Sequence, residues 1–154
     1  MQDDSVTSVD DLKAVVRGFC EERDWDQFHD PKDLAIGMVT EASELLQLFR
    51  FKTPDQCRAM VSDPDRSMDV RDELADVLYF VLRFADMNGI DLSTELRRKV
   101  AVDAEKYPVE RSRGSNLKYD ELRCRRTIGN LWPYPCNLCA WVYQSASLML
   151  RHAR

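Results

Sequence analysis

Histidine is almost missing from this chain. His29 and His152 are the only two in 154 residues, and neither lies beside an acidic pair. That excludes a di-iron carboxylate bundle, which needs Glu-x-x-His on two helices. Long apolar runs are missing as well. None approaches the roughly 20 residues of a membrane span, so no membrane partner is expected. The opening Met1-Gln-Asp-Asp-Ser-Val has no basic or apolar region of the kind that directs secretion. The five cysteines form no evident disulfide framework, and a reduced, cytoplasmic protein is the simplest expectation. Convincing strand alternation is also absent.

What remains is an ordinary globular mixture, 44% apolar and 32% charged, on a length that suits one domain with a real core. The net charge of −5 conceals a split. Residues 123–154 hold five arginines and no acid, which leaves 17 basic and 27 acidic side chains in residues 1–122. An acidic body argues against nucleic acid as a partner, because nonspecific binding rests on phosphate neutralisation by Lys and Arg. A nucleotide that arrives with a divalent cation is not excluded by that argument.

Helical signals dominate residues 1–122. Ser8 with Asp11 at N3 reads as a cap for a first helix, with Leu12, Val15, Val16, Phe19 and Cys20 at helical spacing to about Arg23. An aromatic connection, Asp24-Trp-Asp-Gln-Phe-His-Asp-Pro, follows. A second helix is expected from Pro31 to about Phe51. Thr53, Pro54 and Gln56 suit a short helix or turn. A third long helix runs from about Asp65 to Met87, stopped by Asn88-Gly89. Asp91 caps a fourth, with Leu92, Leu96 and Val100 on its core side, ending at Tyr107-Pro108. The expected fold is an all-α, four-helix bundle of antiparallel helices.

Two acidic pairs carry the chemistry. Glu41-x-x-Glu44 and Glu73-x-x-Asp76 each place two carboxylates on one helical face, i and i+3. Leu45, Leu46, Leu48 and Phe49, or Val77, Leu78, Val81 and Leu82, cover the other faces. A single E-x-x-E is most often a solvated stripe. Two such pairs on packed helices hold four like charges in a half-buried space, which is tolerable only if something positive joins them. A hard cation such as Mg²⁺ fits, with Mn²⁺ as a substitute, because it takes oxygen ligands and keeps positions for water and phosphates.

Gly37-Met-Val-Thr-Glu-Ala-Ser-Glu-Leu-Leu-Gln-Leu-Phe and Asp72-Glu-Leu-Ala-Asp-Val-Leu-Tyr-Phe together resemble the MazG-like, all-α nucleoside triphosphate pyrophosphohydrolases. The spacer, residues 45–72, is at the long end for that family. Glu22-Arg-Asp-Trp-Asp-Gln-Phe-His and Lys106-Tyr-Pro-Val-Glu-Arg-Ser-Arg-Gly-Ser-Asn-Leu-Lys-Tyr resemble its dCTP pyrophosphatase branch. The resemblance covers about residues 8–122. It implies hydrolysis of a (deoxy)nucleoside triphosphate to the monophosphate and pyrophosphate, with Mg²⁺ on Glu41, Glu44, Glu73 and Asp76. The bound ion would polarise phosphate and orient a water attacking the α-phosphorus. One carboxylate acts as general base. Spacing does not choose among the four, and Glu44 is preferred.

The resemblance also suggests how the substrate is held. Trp25 and His29 form an aromatic slot of the kind that grips a base by its face. Phe80 and Phe51 stand where the branch has Tyr and Trp, which keeps an aromatic wall and removes polar handles, so strict dCTP selectivity is not expected. Lys99, Asp103, Lys106 and Tyr107 match a phosphate-binding stretch, with Asp103 replacing an Asn and Lys106 an Arg. Lys106 keeps the charge without the bidentate fork. Arg111, Arg113 and Lys118 flank Gly114 in a loop that would close over phosphates. A homo-oligomer, most simply a tetramer, is implied. It also follows from apolar residues around most of the helical circumference, which one thin bundle cannot bury.

The competing reading from another class is a noncatalytic helical interaction module. It accounts for the amphipathic helices and gives no reason for four inward carboxylates. After Leu122 the composition breaks. Residues 123–154 carry Cys124, Cys136, Cys139, Trp132 and Trp141 and read as an appended tail. Cys136-x-x-Cys139 lacks a fourth zinc ligand at a usual spacing unless His152 serves.

Overall fold

In the computed structural model, residues 3–122 are described, and all regular structure among them is helical. The tail from 123 onward, with its zinc reading, lies outside the described residues. The chain divides into two compact units, Met1–Glu95 and Leu96–Arg154.

The helices form where local chemistry favours them. Helix α1, Val9–Glu21, begins with a reciprocal capping box between Ser8 and Asp11. A single 3₁₀ turn spans Asp26–Phe28 in the aromatic connection. Asp30 caps α2, Pro31–Phe49, with Pro at N1. Thr53 and Gln56 form a second capping box on α3, Pro54–Ser62. Helix α4, Ser67–Met87, is the longest. Asp91 caps α5, Leu92–Lys106, by accepting from the amide and hydroxyl of Thr94. A last short helix, α6, covers Val109–Ser112.

Four elements differ from the sequence expectation, the first being α1, which stops at Glu21 and not Arg23. Helix α2 stops at Phe49, not Phe51, because Phe51 adopts a left-handed backbone with φ of 61°, which a helix cannot absorb. Helix α4 starts at Ser67, not Asp65, because Asp63 first builds its own turn, its carboxylate accepting from the Asp65 amide. Helix α6 falls in a stretch expected to be loop. It is held by amides of Arg111 and Ser112 donating to the Pro108 carbonyl.

Helix α4 is the centre of the first unit: α2 packs along it most extensively, α1 next, and α3 touches it. Both long partners run antiparallel to it. On α2, Gly37 meets Phe80 and Glu41 meets Glu73 and Asp76. On α1, Lys13, Arg17 and Cys20 meet Ile90, Asp86 and Tyr79 in turn. Val16, Cys20 and Leu82 form the core cluster, with Leu12, Tyr79 and Leu92 packed on it. Burying one such aliphatic side chain is worth about 1.5–3 kcal/mol. The expected core side of α5 is corrected here: only Leu92 reaches the cluster, while Leu96 and Val100 are exposed.

Gly37 on α2 lies directly against Phe80 on α4. A Cβ added there would stand 2.3 Å from the Phe80 ring, so the two helices pack this tightly only with no side chain at that position.

Candidate active site

Helices α2 and α4 bring the two acidic pairs together. Carboxylate oxygens of Glu41, Glu73 and Asp76 lie within 4.8 Å of one another. Glu41 and Glu73 are half-buried, and Asp76 and Glu44 are exposed, so the half-buried space holds two of the four acids instead of all. Glu44 stands outside the group of three, yet its charge acts on both Glu41 and Glu73. Partial burial, followed by the charge of Glu44, pushes the carboxyls of Glu41 and Glu73 above the ordinary range. Asp72 and Asp69 add to the field on Glu73. Among the described residues, no Lys, Arg or His forms an ion pair with any of these four.

The donor set suits a hard divalent cation. It offers carboxylate oxygen alone, clustered within the span one ion can bridge, and partly open to water and phosphate. Excess negative charge with no counterion among the described residues is a condition that such an ion relieves.

An aromatic run links the connection to α4. Trp25 meets Phe19 edge-on at 5.6 Å between centroids, Phe19 meets Tyr79 at 6.2 Å, and Tyr79 meets Phe80 at 5.3 Å. The Trp25 and His29 rings lie 6.4 Å apart at 74°. Trp25 keeps 40% of its surface exposed, so it is no fully committed core residue. Trp25, His29 and Phe80 therefore belong to one connected wall. Phe51 does not join it: the ring is 91% exposed, with only the Arg50 guanidinium above it.

The other residues expected at the substrate, Lys99 to Lys118, belong to the second unit. Asp103 is held by Lys99 and lies 3.7 Å from Lys106. The hydrogen bond from Lys99 and the charges of both lysines keep its carboxyl below the usual range. Tyr107 packs edge-on against Tyr119 at 6.3 Å. Arg111, Arg113 and Lys118 are exposed, and the Lys118 amide donates to the Glu121 carboxylate at 2.9 Å.

Sequence reasoning missed Arg83. It is 1% exposed and donates from Nε to His29 Nδ1 at 3.0 Å. Its terminal nitrogens reach Asp26 and Asp86. Asp86 is held in turn by both nitrogens of an Arg17 fork. The available signal was an arginine inside the apolar run Tyr79-Phe-Val-Leu-Arg-Phe-Ala, with an aspartate three residues on.

Comparisons with known proteins agree with this geometry. The chain is 33% identical over 115 residues to dCTP pyrophosphatase 1 of Rattus norvegicus, covering 75% of this chain and 68% of that protein. It is 32% identical to dCTP pyrophosphatase 1 of Homo sapiens over the same shares. The fold superposes on a pyrophosphatase from Archaeoglobus fulgidus with a TM-score of 0.60 and 31% identity, covering 64% of this chain and 91% of that one. The MazG-like family model matches residues 36–122, which hold both acidic pairs. On these grounds the chain belongs to the MazG-like family.

Proposed function

We propose that this chain, a nucleoside triphosphate pyrophosphohydrolase of the MazG-like family, acts on dCTP or a related pyrimidine deoxynucleotide in a reaction that requires Mg²⁺, with Mn²⁺ as a substitute. The observation that carries the reading is the cluster of Glu41, Glu73 and Asp76, joined by the field of Glu44 and matched by no protein cation among the described residues. When bound there, the ion supplies the positive charge that offsets charge developing on the phosphates. The three clustered carboxylates would hold it.

Glu44 is the general base in this reading. It stands outside the cluster, is exposed, and so can take a proton from the water that attacks the α-phosphorus. The bond between the α-phosphorus and its bridging oxygen then breaks, and pyrophosphate leaves with the monophosphate as the second product. Trp25 and His29, on the wall that ends at Phe80, hold the base. The relatives named for dCTP support a pyrimidine. Lys99, Lys106, Tyr107, Arg111, Arg113 and Lys118 contribute phosphate contacts, and Phe51, exposed in the single chain, adds to the aromatic wall where neighbouring subunits complete the site.

That last role requires an assembly. Ile36, Val39, Leu46, Leu74 and Leu78 are exposed along α2 and α4, an apolar surface that a homotetramer would cover. The basic segment 123–154 lies outside the catalytic machinery, which residues 1–122 supply. The free thiols of Cys20 and Cys57 fit a reducing, cytoplasmic setting.

The test is pyrophosphate release over a panel of nucleotides with and without Mg²⁺. Release that depends on Mg²⁺ and is fastest for dCTP is expected. Release without a divalent cation, or a clear preference for purines, would overturn the reading. Light scattering should report a tetramer, and a stable, active monomer would refute that part.

A further inference from the structure

Arg83 is fully buried on α4, and nothing in the hydrolysis described above uses it. Burying a guanidinium costs several kcal/mol unless its donors are met. Here they are met by three groups on two elements. Nε donates to Nδ1 of His29 at 3.0 Å, one terminal nitrogen donates to Asp26, and the other approaches Asp86 at 3.4 Å. Asp86 is fixed from α1 by Arg17. Asp26 and His29 bracket the 3₁₀ turn that carries the aromatic connection. A single side chain thus ties the base slot to the helix that bears Glu73 and Asp76.

The contact with His29 has a chemical consequence. A guanidinium only donates, so Nδ1 must be the unprotonated, accepting nitrogen. Flipping the ring would set a C–H against the cation. Burial, then the charge of Arg83, lowers the imidazole pKa, so the ring is neutral near pH 7. Its single proton therefore sits on Nε2. No described side chain accepts from Nε2, while the Trp25 ring stands edge-on beside the imidazole.

We propose that Arg83 is a positioning residue for base recognition: it locks His29 as an Nε2–H donor beside Trp25, so that the slot selects a base presenting a carbonyl or ring-nitrogen acceptor. This rests on the reading of Trp25 and His29 as the base slot. Without Arg83 the ring samples both tautomers, and an acceptor edge loses its fixed donor.

The experiment has two arms. Long-range ¹H–¹⁵N spectra of the wild-type imidazoles, with His152→Asn to separate the two signals, should show His29 as the Nε2–H tautomer. Arg83→Lys should give a mixture. An Nδ1–H ring or an averaged one in the wild type overturns the proposal, even if Arg83→Lys fails to fold. The second arm compares dCMP with deoxyribose 5-phosphate, which lacks a base. Arg83→Lys should weaken dCMP binding about tenfold, the loss of one directed hydrogen bond, and leave the sugar phosphate unchanged. Equal weakening of both would reduce Arg83 to a structural role. Neither arm needs turnover, so a wild type that binds dCMP and releases no pyrophosphate would sink the proposed reaction while this inference stands.

Discussion

Helix α4 carries acids at two places under opposite conditions. Towards its N-terminal half, Glu73 and Asp76 meet Glu41 with no cation paired to them among the described residues, and burial with mutual repulsion raises the carboxyls of Glu41 and Glu73. Towards its C-terminal half, Asp86 lies between Arg17 and Arg83, and the hydrogen bond from Arg17 holds its carboxyl below the ordinary range. Both regions concentrate charge on one helix. Among the described residues the second finds its counter-charges within the protein, and the first does not. A raised pair of carboxyls with no partner marks where a ligand belongs, whereas a neutralised network marks where the fold fastens itself.

The largest effect should come from breaking the first region. Alanine at Glu41, Glu44, Glu73 or Asp76 should lower kcat by roughly 10³-fold or more, since interactions with developing charge are lost at the transition state. The fold should persist, because each substitution removes repulsion. Two folded variants with near-normal turnover would show that the cluster is not catalytic.

Breaking the second region should have the opposite signature. Arg83→Met leaves the half-exposed Asp26 without its cation and His29 without its donor, and should cost about 1–3 kcal/mol in denaturant unfolding. A loss below about 1 kcal/mol would mean that the network contributes specificity and little stability.

Acid should separate the regions without mutation. His29 has a lowered folded pKa against an ordinary value of 6.5. The unfolded chain therefore binds its proton first, and the stability His29 contributes at neutral pH is lost as pH falls from 6.5 through the folded value. Asp86 repeats that loss lower, beginning near 3.8. Glu41 and Glu73 have the reverse sign. Their ionisation in the metal-free fold is unfavourable, and protonation as pH falls through their raised values relieves it. His29→Gln should remove the step near pH 6.5 from a stability profile, and a step that survives belongs to another group.

The smallest effect concerns α5. Asp103 occupies Lys99 and approaches Lys106, so it competes with any phosphate those lysines bind. Asp103→Asn should lower KM for the triphosphate by a few fold, on the order of one exposed ion pair. An increase in KM would give Asp103 a positive role in binding.

Much of this was legible in the residues. Ser8, Thr53 and Asp91 announce helix starts because capping is local chemistry, and all three caps form. The acidic pairs were legible because i, i+3 spacing fixes a shared face. What escaped depends on tertiary contact. The partners of Arg83 lie 54 and 57 residues away in the connection, and no periodicity reports such a distance. Helix α6 is one turn of four residues, too short to show a pattern. Helix α2 was expected to reach about Phe51, yet the left-handed backbone of that residue turns the chain away.

The bare backbone of Gly37 has a consequence for the carboxylates themselves. It stands one turn from Glu41, and the Phe80 ring pressed against it stands one turn beyond Asp76 on the opposing helix. The gap between α2 and α4 is therefore gauged at this contact, much as a shim sets the jaw of a calliper. A wider shim would part Glu41 from Glu73 and Asp76. The spacing of the three carboxylates thus depends partly on a residue that carries no charge and has no side chain.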